Sequence, residues 1–174
     1  MSQLRTNSIV PIGGVPAGAS GGGIIQVVRA SYATQTSSTS ASWVTIFSAS
    51  ITPRSSSSKI LVNPVCTWHS SNNGGYLRVA RGGNIIEGSS SGSASQAVCH
   101  AGTLYGNVDF LTYGTTQTSW MVIDSPATTS SITYDVQMYA ASACTVYINR
   151  NQFNNNRIYD PAGISFLTLM EVSG

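Results

Sequence analysis

The feature that most constrains this chain is a two-residue alternation that keeps returning. In "ITYDVQMYA" the side chains of Ile132, Tyr134, Val136, Met138 and Ala140 interleave with Thr133, Asp135, Gln137 and Tyr139. A period of two places each set on its own face of a strand, and a strand with one apolar face needs a second layer to cover it. "CTVYINR" repeats the pattern, with Cys144, Val146 and Ile148 inward. In "SWVTIFSASIT" the alternation predicts Trp43, Thr45, Phe47, Ala49 and Ile51 on one face, with Val44, Ile46, Ser48 and Ser50 on the other. No window of about a dozen residues shows an apolar 3.6 period free of Gly, Pro and β-branched clusters, so nothing reads as a helix.

Turn chemistry divides the strands. "PRSSSS", "SSNNGG" and "SPATTSS" are breaks, and "YLRVAR", "GG" and "NIIE" together predict a hairpin. Pro64 in "KILVNPVCTW" predicts an edge strand or a bulge, because proline brings no donor to a ladder. Residues 88–102 read as a long loop with a short strand near Val98. "LYGNVDFLTYG" and "SWMVID" read as strands, and "NQFNNNRIYDPAG" as an Asn-rich loop. The closing "ISFLTLMEV" is apolar on both faces, which predicts burial on both. Together these elements predict an all-β, antiparallel β-sandwich or jelly-roll of about eight to ten strands over residues 23–174, with the topology left open.

Residues 1–22 are different. Gly and Pro deny them a helix or a strand, yet Leu4, Ile9, Val10, Ile12 and Val15 are aliphatic, and Pro11 and Pro16 restrict the backbone. A plain leader is one reading. The other is an extended arm that orders against a partner, since apolar surface on a tail gains free energy only when buried. Gly21, Gly22 and Gly23 would then be a hinge between the arm and the body.

Charged residues make up only 8% of the chain and the net charge is +2. Short neutral polar side chains supply most of the surface, which favours packing against copies of itself. The basic residues Arg5, Arg29, Arg54, Lys59, Arg78, Arg81, Arg150 and Arg157 are scattered, and Arg78 and Arg81 fall on opposite faces of one strand. That is no footprint for nucleic acid. No stretch approaches the roughly 20 apolar residues of a membrane span.

Candidate chemistry is sparse. The three cysteines, Cys66, Cys99 and Cys144, form no CxxC; Cys66 and Cys144 read as small buried hydrophobes. Cys66 with His69 and Cys99 with His100 can be drawn as a metal site, but their spacing is not that of paired zinc ligands, so no metal or other cofactor is expected. The acids Glu87, Asp109, Asp124, Asp135, Asp160 and Glu171 stand singly, with Asp124 and Asp160 placed to cap turns. No GxSxG elbow or phosphate-binding loop is present, and no catalytic residues are expected. Trp43, Trp68 and Trp120 read as core filling. Tyr76, Tyr105, Phe153 and Tyr159 read as loop aromatics for a subunit contact or for stacking on a sugar.

In succession, "LRTNSIVP", "GGG", "IIQVV", "SITPRSSSSKILV", "YLRVARGGNII", "VIDSPATTSSITYDVQMYA" and "LTLMEV" span nearly the whole chain. This order resembles a loose group of short virion proteins of tailed bacteriophages. The resemblance implies a β-domain on the virion surface, usually a homotrimer, assembled in the host cytoplasm and attached by its N-terminal segment. The partner would be the major capsid protein or another virion structural protein. No long shaft is present, which favours a capsid decoration (cement) protein over a tail-fibre component that binds a host-surface glycan. The resemblance carries over no catalytic residues.

Overall fold

A computed structural model describes residues 23–72, 74–88, 96–102, 114–141, 143–158 and 160–173. The expected arm at 1–22, Gly21 and Gly22 of the hinge, the expected strand at 104–113, Tyr105 and Tyr159 lie outside the described residues.

The described residues form two antiparallel sheets and no helix. The strands are β1 (Ile24–Tyr32), β2 (Thr36–Ser38), β3 (Val44–Ile51), β4 (Lys59–Ser70), β5 (Gly75–Arg81), β6 (Asn84–Ile85), β7 (Ala101–Gly102), β8 (Thr116–Ser119), β9 (Val122–Asp124), β10 (Ile132–Ala140), β11 (Val146–Ile148) and β12 (Ser165–Val172). Several are successive pieces of one row. β12 and β11 lie end to end along one edge of β4, with β1 and β2 outside them, while β8 and β9 lie end to end along the other edge. In the second sheet β10 sits between β3 and β5, and β6 and β7 share the far edge of β5. Joining each end-to-end pair leaves the connectivity of a jelly roll, in which consecutive rows mostly alternate between the two sheets.

The core lies between the sheets. β4, β11 and β12 contribute Ile60, Val62, Cys66, Trp68, Val146, Ile148, Leu167 and Leu169, against Phe47, Ala49, Ile51, Leu77, Val79, Tyr134, Val136 and Met138 from β3, β5 and β10. The alternation of "ITYDVQMYA" therefore holds as the sequence predicts. So does the hairpin, where Gly82 and Gly83 both take positive φ (58° and 81°), the conformation a tight two-residue turn requires.

Several expectations need correction. Pro64 is in the central strand β4, paired with Leu167 of β12. It is tolerated beside a break in the opposite flank, where β8 gives way to β9 and the Asn63 amide donates to the Trp120 carbonyl (2.7 Å) in place of a ladder bond. "SWMVID" is accordingly two strands, not one. The final strand is buried on one face only: Leu167, Leu169 and Glu171 are fully covered, whereas Phe166, Met170 and Val172 are half-buried. A further correction comes from a bulge in β3. Phe47 pairs with Val136 but Thr45 pairs with Gln137, so Ile46 is an extra residue. Beyond it every side chain changes face, sending Trp43 and Thr45 outward and Val44 toward the core. The short strand expected near Val98 falls at Ala101–Gly102 instead.

Candidate functional surfaces

Asp124 and Asp160 show how the single acids are used. Asp160 caps the Asn-rich loop as expected, accepting from the amides of Asn155 (2.8 Å) and Arg157 (3.1 Å) and from the Asn151 side chain (2.9 Å). Asp124 does not cap a turn. It is buried on β9, ion-paired with Arg81 (2.6 Å) and accepting from the Tyr134 hydroxyl (2.8 Å). Burial, reinforced by that carboxylate, pushes the Tyr134 phenol well above its ordinary range. The network ties the two sheets together beside a shallow cleft lined by Asn84, Ile85, Glu87 and Ile123.

The cysteine and histidine candidates do not converge. Cys66 faces the core, and burial pushes its thiol up to about 12. His69, on the other face of β4, packs against Tyr147. His100 completes an edge of the second sheet. Its Nδ1 accepts from the Val79 amide (3.1 Å), so Nε2 carries the proton and donates to the Ile86 carbonyl (2.8 Å), while the ring stacks on Trp120. Among the described residues no three His, Cys, Asp or Glu side chains stand together as a metal site would require.

Two surfaces remain. The first is the outer face of the larger sheet. Cross-strand register lines up Val27, Met170, Leu61 and Ile123 across β1, β12, β4 and β9. Ile24, Val172, Phe166 and Val65 flank that row on the same face, and Met121 stands beside Ile123. Val27 and Met121 are each 57% exposed and Ile123 46%. A β-sheet face this apolar, with Arg29 laid over Phe166 (3.9 Å) and Lys59 opposite Val172 as its charges, is unusual for a surface that meets only water. The apolar excess of "IIQVV" and "ISFLTLMEV" is thus concentrated on adjacent strands.

The second surface is on the opposite side of the sandwich, on the outer face of the smaller sheet. Most of that face is short and polar: Ser48 donates to Asp135 (2.6 Å) and Ser50 meets Thr133 (2.7 Å). At one end, however, Trp43, Tyr76 and Tyr139 converge. Tyr139 is tilted against both other rings, with centroids 5.4 and 6.0 Å apart. Arg78 lies over the Trp43 ring at 4.2 Å, and its guanidinium donates to Gln137 (2.8 Å) and to the Gly83 carbonyl (3.0 Å). Burial lowers the pKa of Arg78. With Gln96, Ala97, Val98 and Ala141 these residues line an open pocket of about 380 Å³.

Of the loop aromatics singled out from sequence, Tyr76 belongs to this pocket, but it sits on strand β5 rather than in a loop. Phe153 is elsewhere, on the loop that follows β11 in the other sheet, and is 38% exposed. Trp43 was expected in the core; the β3 bulge puts it in the pocket instead. Trp68 is in the core, as expected, with its indole N–H donated to Thr118 (2.9 Å).

No family model and no curated protein matches this chain. Among solved structures it is similar to the infectious bursal disease virus VP2 subviral particle, at 12% identity and a TM-score of 0.38. The match covers 86% of this chain but only 41% of that one. A likeness so distant carries no functional conclusion.

Proposed function

We propose that this protein is a structural component of a virus particle, a tailed-phage protein that decorates and stabilises the capsid surface as a homotrimer. The observation that carries the reading is the apolar outer face of the larger sheet. Its central row of Val27, Met170, Leu61 and Ile123 is uncharged, with Arg29 and Lys59 beside it, and an interface between identical copies has to avoid setting like charges against each other. It also begins on β1, immediately after the segment proposed as the anchoring arm. Neighbouring copies of the chain are its occupants. Leu4, Ile9, Val10, Ile12 and Val15 are then left to grip the major capsid protein or another virion protein, with Gly21–Gly23 as the hinge. A Cβ built on Gly23 would meet none of the described residues within 4 Å. Jelly rolls serve in capsids and in lectins alike, so the fold agrees with this reading without selecting it.

Sedimentation of the full chain tests the assembly. The wild type is expected to be a trimer at micromolar concentration, and Val27→Asp with Met170→Asp to be a folded monomer. A wild-type monomer, or a double variant that stays trimeric, would overturn the interface. A chain lacking residues 1–22 is expected to remain trimeric yet fail to bind particles stripped of the native protein. Full occupancy by the truncated chain would show that the β-body makes the contact.

One observation favours a second reading, adhesion to a host-surface glycan: the aromatic pocket faces away from the proposed interface. A density map of the particle separates the two. Many copies at capsid symmetry axes mean decoration, and a few copies at the tail mean adhesion.

A further inference from the structure

We propose that the pocket formed by Trp43, Tyr76, Arg78 and Tyr139 binds an acidic pyranoside, a uronic- or sialic-acid unit of a surface polysaccharide. The proposal rests on the second reading above and gives it a site and a ligand class. Three features of the pocket call for such a ligand. The rings of Trp43, Tyr76 and Tyr139 supply apolar surface of the kind that packs on the C–H face of a pyranose. The hydroxyls of Tyr76 and Tyr139 can each donate to and accept from sugar hydroxyls. Arg78 supplies the charge.

That guanidinium is positioned before any ligand arrives. Its Nε is engaged by Gln137, one Nη2 hydrogen by the Gly83 carbonyl, and its plane by Trp43, and its remaining N–H groups are the donors a ligand would meet. No carboxylate of the described residues pairs with it, although Asp124 satisfies the neighbouring Arg81 in this way. A half-buried cation with no acid partner among the described residues, next to three rings, is complementary to a ring that brings its own carboxylate. The pocket owes its form to the β3 bulge. Without the extra residue Ile46, Trp43 would point into the core and the cation would lose its platform.

The test is a saturation-transfer NMR titration of the full-length protein with methyl β-D-glucuronide and, separately, methyl β-D-glucoside. These probes share the pyranose ring and differ in the carboxylate. The glucuronide is expected to bind at least about tenfold more tightly, the contribution of one hydrogen bond to a charged group. Arg78→Gln should remove that preference, and Tyr76→Phe, which keeps the ring, should weaken both sugars while leaving the preference. The melting temperature and sedimentation of each variant check that it has folded; should Arg78→Gln not fold, Tyr76→Phe still tests the site. Equal binding of the two sugars by the wild type would overturn the acidic ligand and leave the glycan reading standing. No transfer to either sugar would overturn both. Binding that neither variant changes would overturn the location.

Discussion

Asn149 offers the sharpest test of how this jelly roll is held together. It follows β11, is fully buried, and has a left-handed backbone with φ of 60°. Its side-chain amide donates to the carbonyls of Tyr32 (2.7 Å) and Thr34 (3.1 Å), at the corner between β1 and β2. Its side-chain oxygen accepts from the Ser165 hydroxyl (2.7 Å), at the start of β12. Its own amide donates to Thr67 of β4 (2.8 Å), and its carbonyl accepts from Gly163 (3.0 Å). One residue thereby ties its own segment to three others. Asn149→Ala keeps the backbone bonds and removes the three made by the side chain. Each buried group left unpaired costs about 1–3 kcal/mol; at the low end of that range, because two are carbonyls with a second lone pair, the loss is about 3 kcal/mol. Holding Ala rather than Asn in the left-handed region adds about 1 kcal/mol. The expected destabilisation is thus about 4 kcal/mol. Asn149→Gly loses the same bonds without the backbone penalty and should recover about 1 kcal/mol of it. Urea unfolding at matched protein concentration, with the denaturant slope unchanged, measures both values. An Ala variant within about 1 kcal/mol of the wild type would refute the hub, and Ala and Gly variants of equal stability would refute the backbone part.

Two further predictions concern pH. Glu171 is fully buried on β12; burial raises its pKa, but Ser58, the Gln26 amide (2.6 Å) and the backbone amides of Arg54 (2.7 Å) and Ser55 outweigh that and hold it below 4.5. Its contribution to stability is therefore complete above that ordinary value and lost as the pH falls through the lowered one, and Glu171→Gln should lower stability at neutral pH and flatten the acid limb of a melting-temperature profile. For His100, burial lowers the pKa below 6.5, the Ile86 carbonyl and Glu87 oppose that, and Arg78 reinforces it. The neutral ring is the one that accepts from Val79, so stability is full above 6.5 and declines as the pH falls; nitrogen NMR should show the Nε2–H tautomer at neutral pH, and a ring protonated there would refute the assignment.

Much of the body is legible in the sequence because burial on one face imposes alternation. "ITYDVQMYA" and "CTVYINR" name their core residues correctly since each strand is regular from end to end. The networks of Asn149 and Glu171 are not legible. The carbonyls that the Asn149 amide holds and the donors to Glu171 lie more than a hundred residues away, and an Asn or Glu within a polar stretch carries no local mark of burial. The jelly-roll order is hidden for a related reason: strand patterns specify which face is inward but not which edge meets which.

The pocket was obscured by a one-residue offset. In "WVTIF" both phases of the alternation offer apolar residues, Trp43 and Phe47 in one, Val44 and Ile46 in the other. Counting outward from Phe47 therefore sends Trp43 into the core with nothing in the sequence to object. The structure resolves the choice through the partner strand. Met138 lies opposite Val44 on the core side, where a small branched side chain packs beside it. The Thr45 hydroxyl meets Gln137 (3.3 Å) on the outer side, and the indole, placed outside by the same step, finds Arg78 and Tyr139. A regular strand would bury the large ring and leave Arg78 exposed over a row of hydroxyls. The bulge exchanges that arrangement for a core closed by Val44 and an outer face with an aromatic wall, so the residue that spoils the alternation is also the one that creates the pocket.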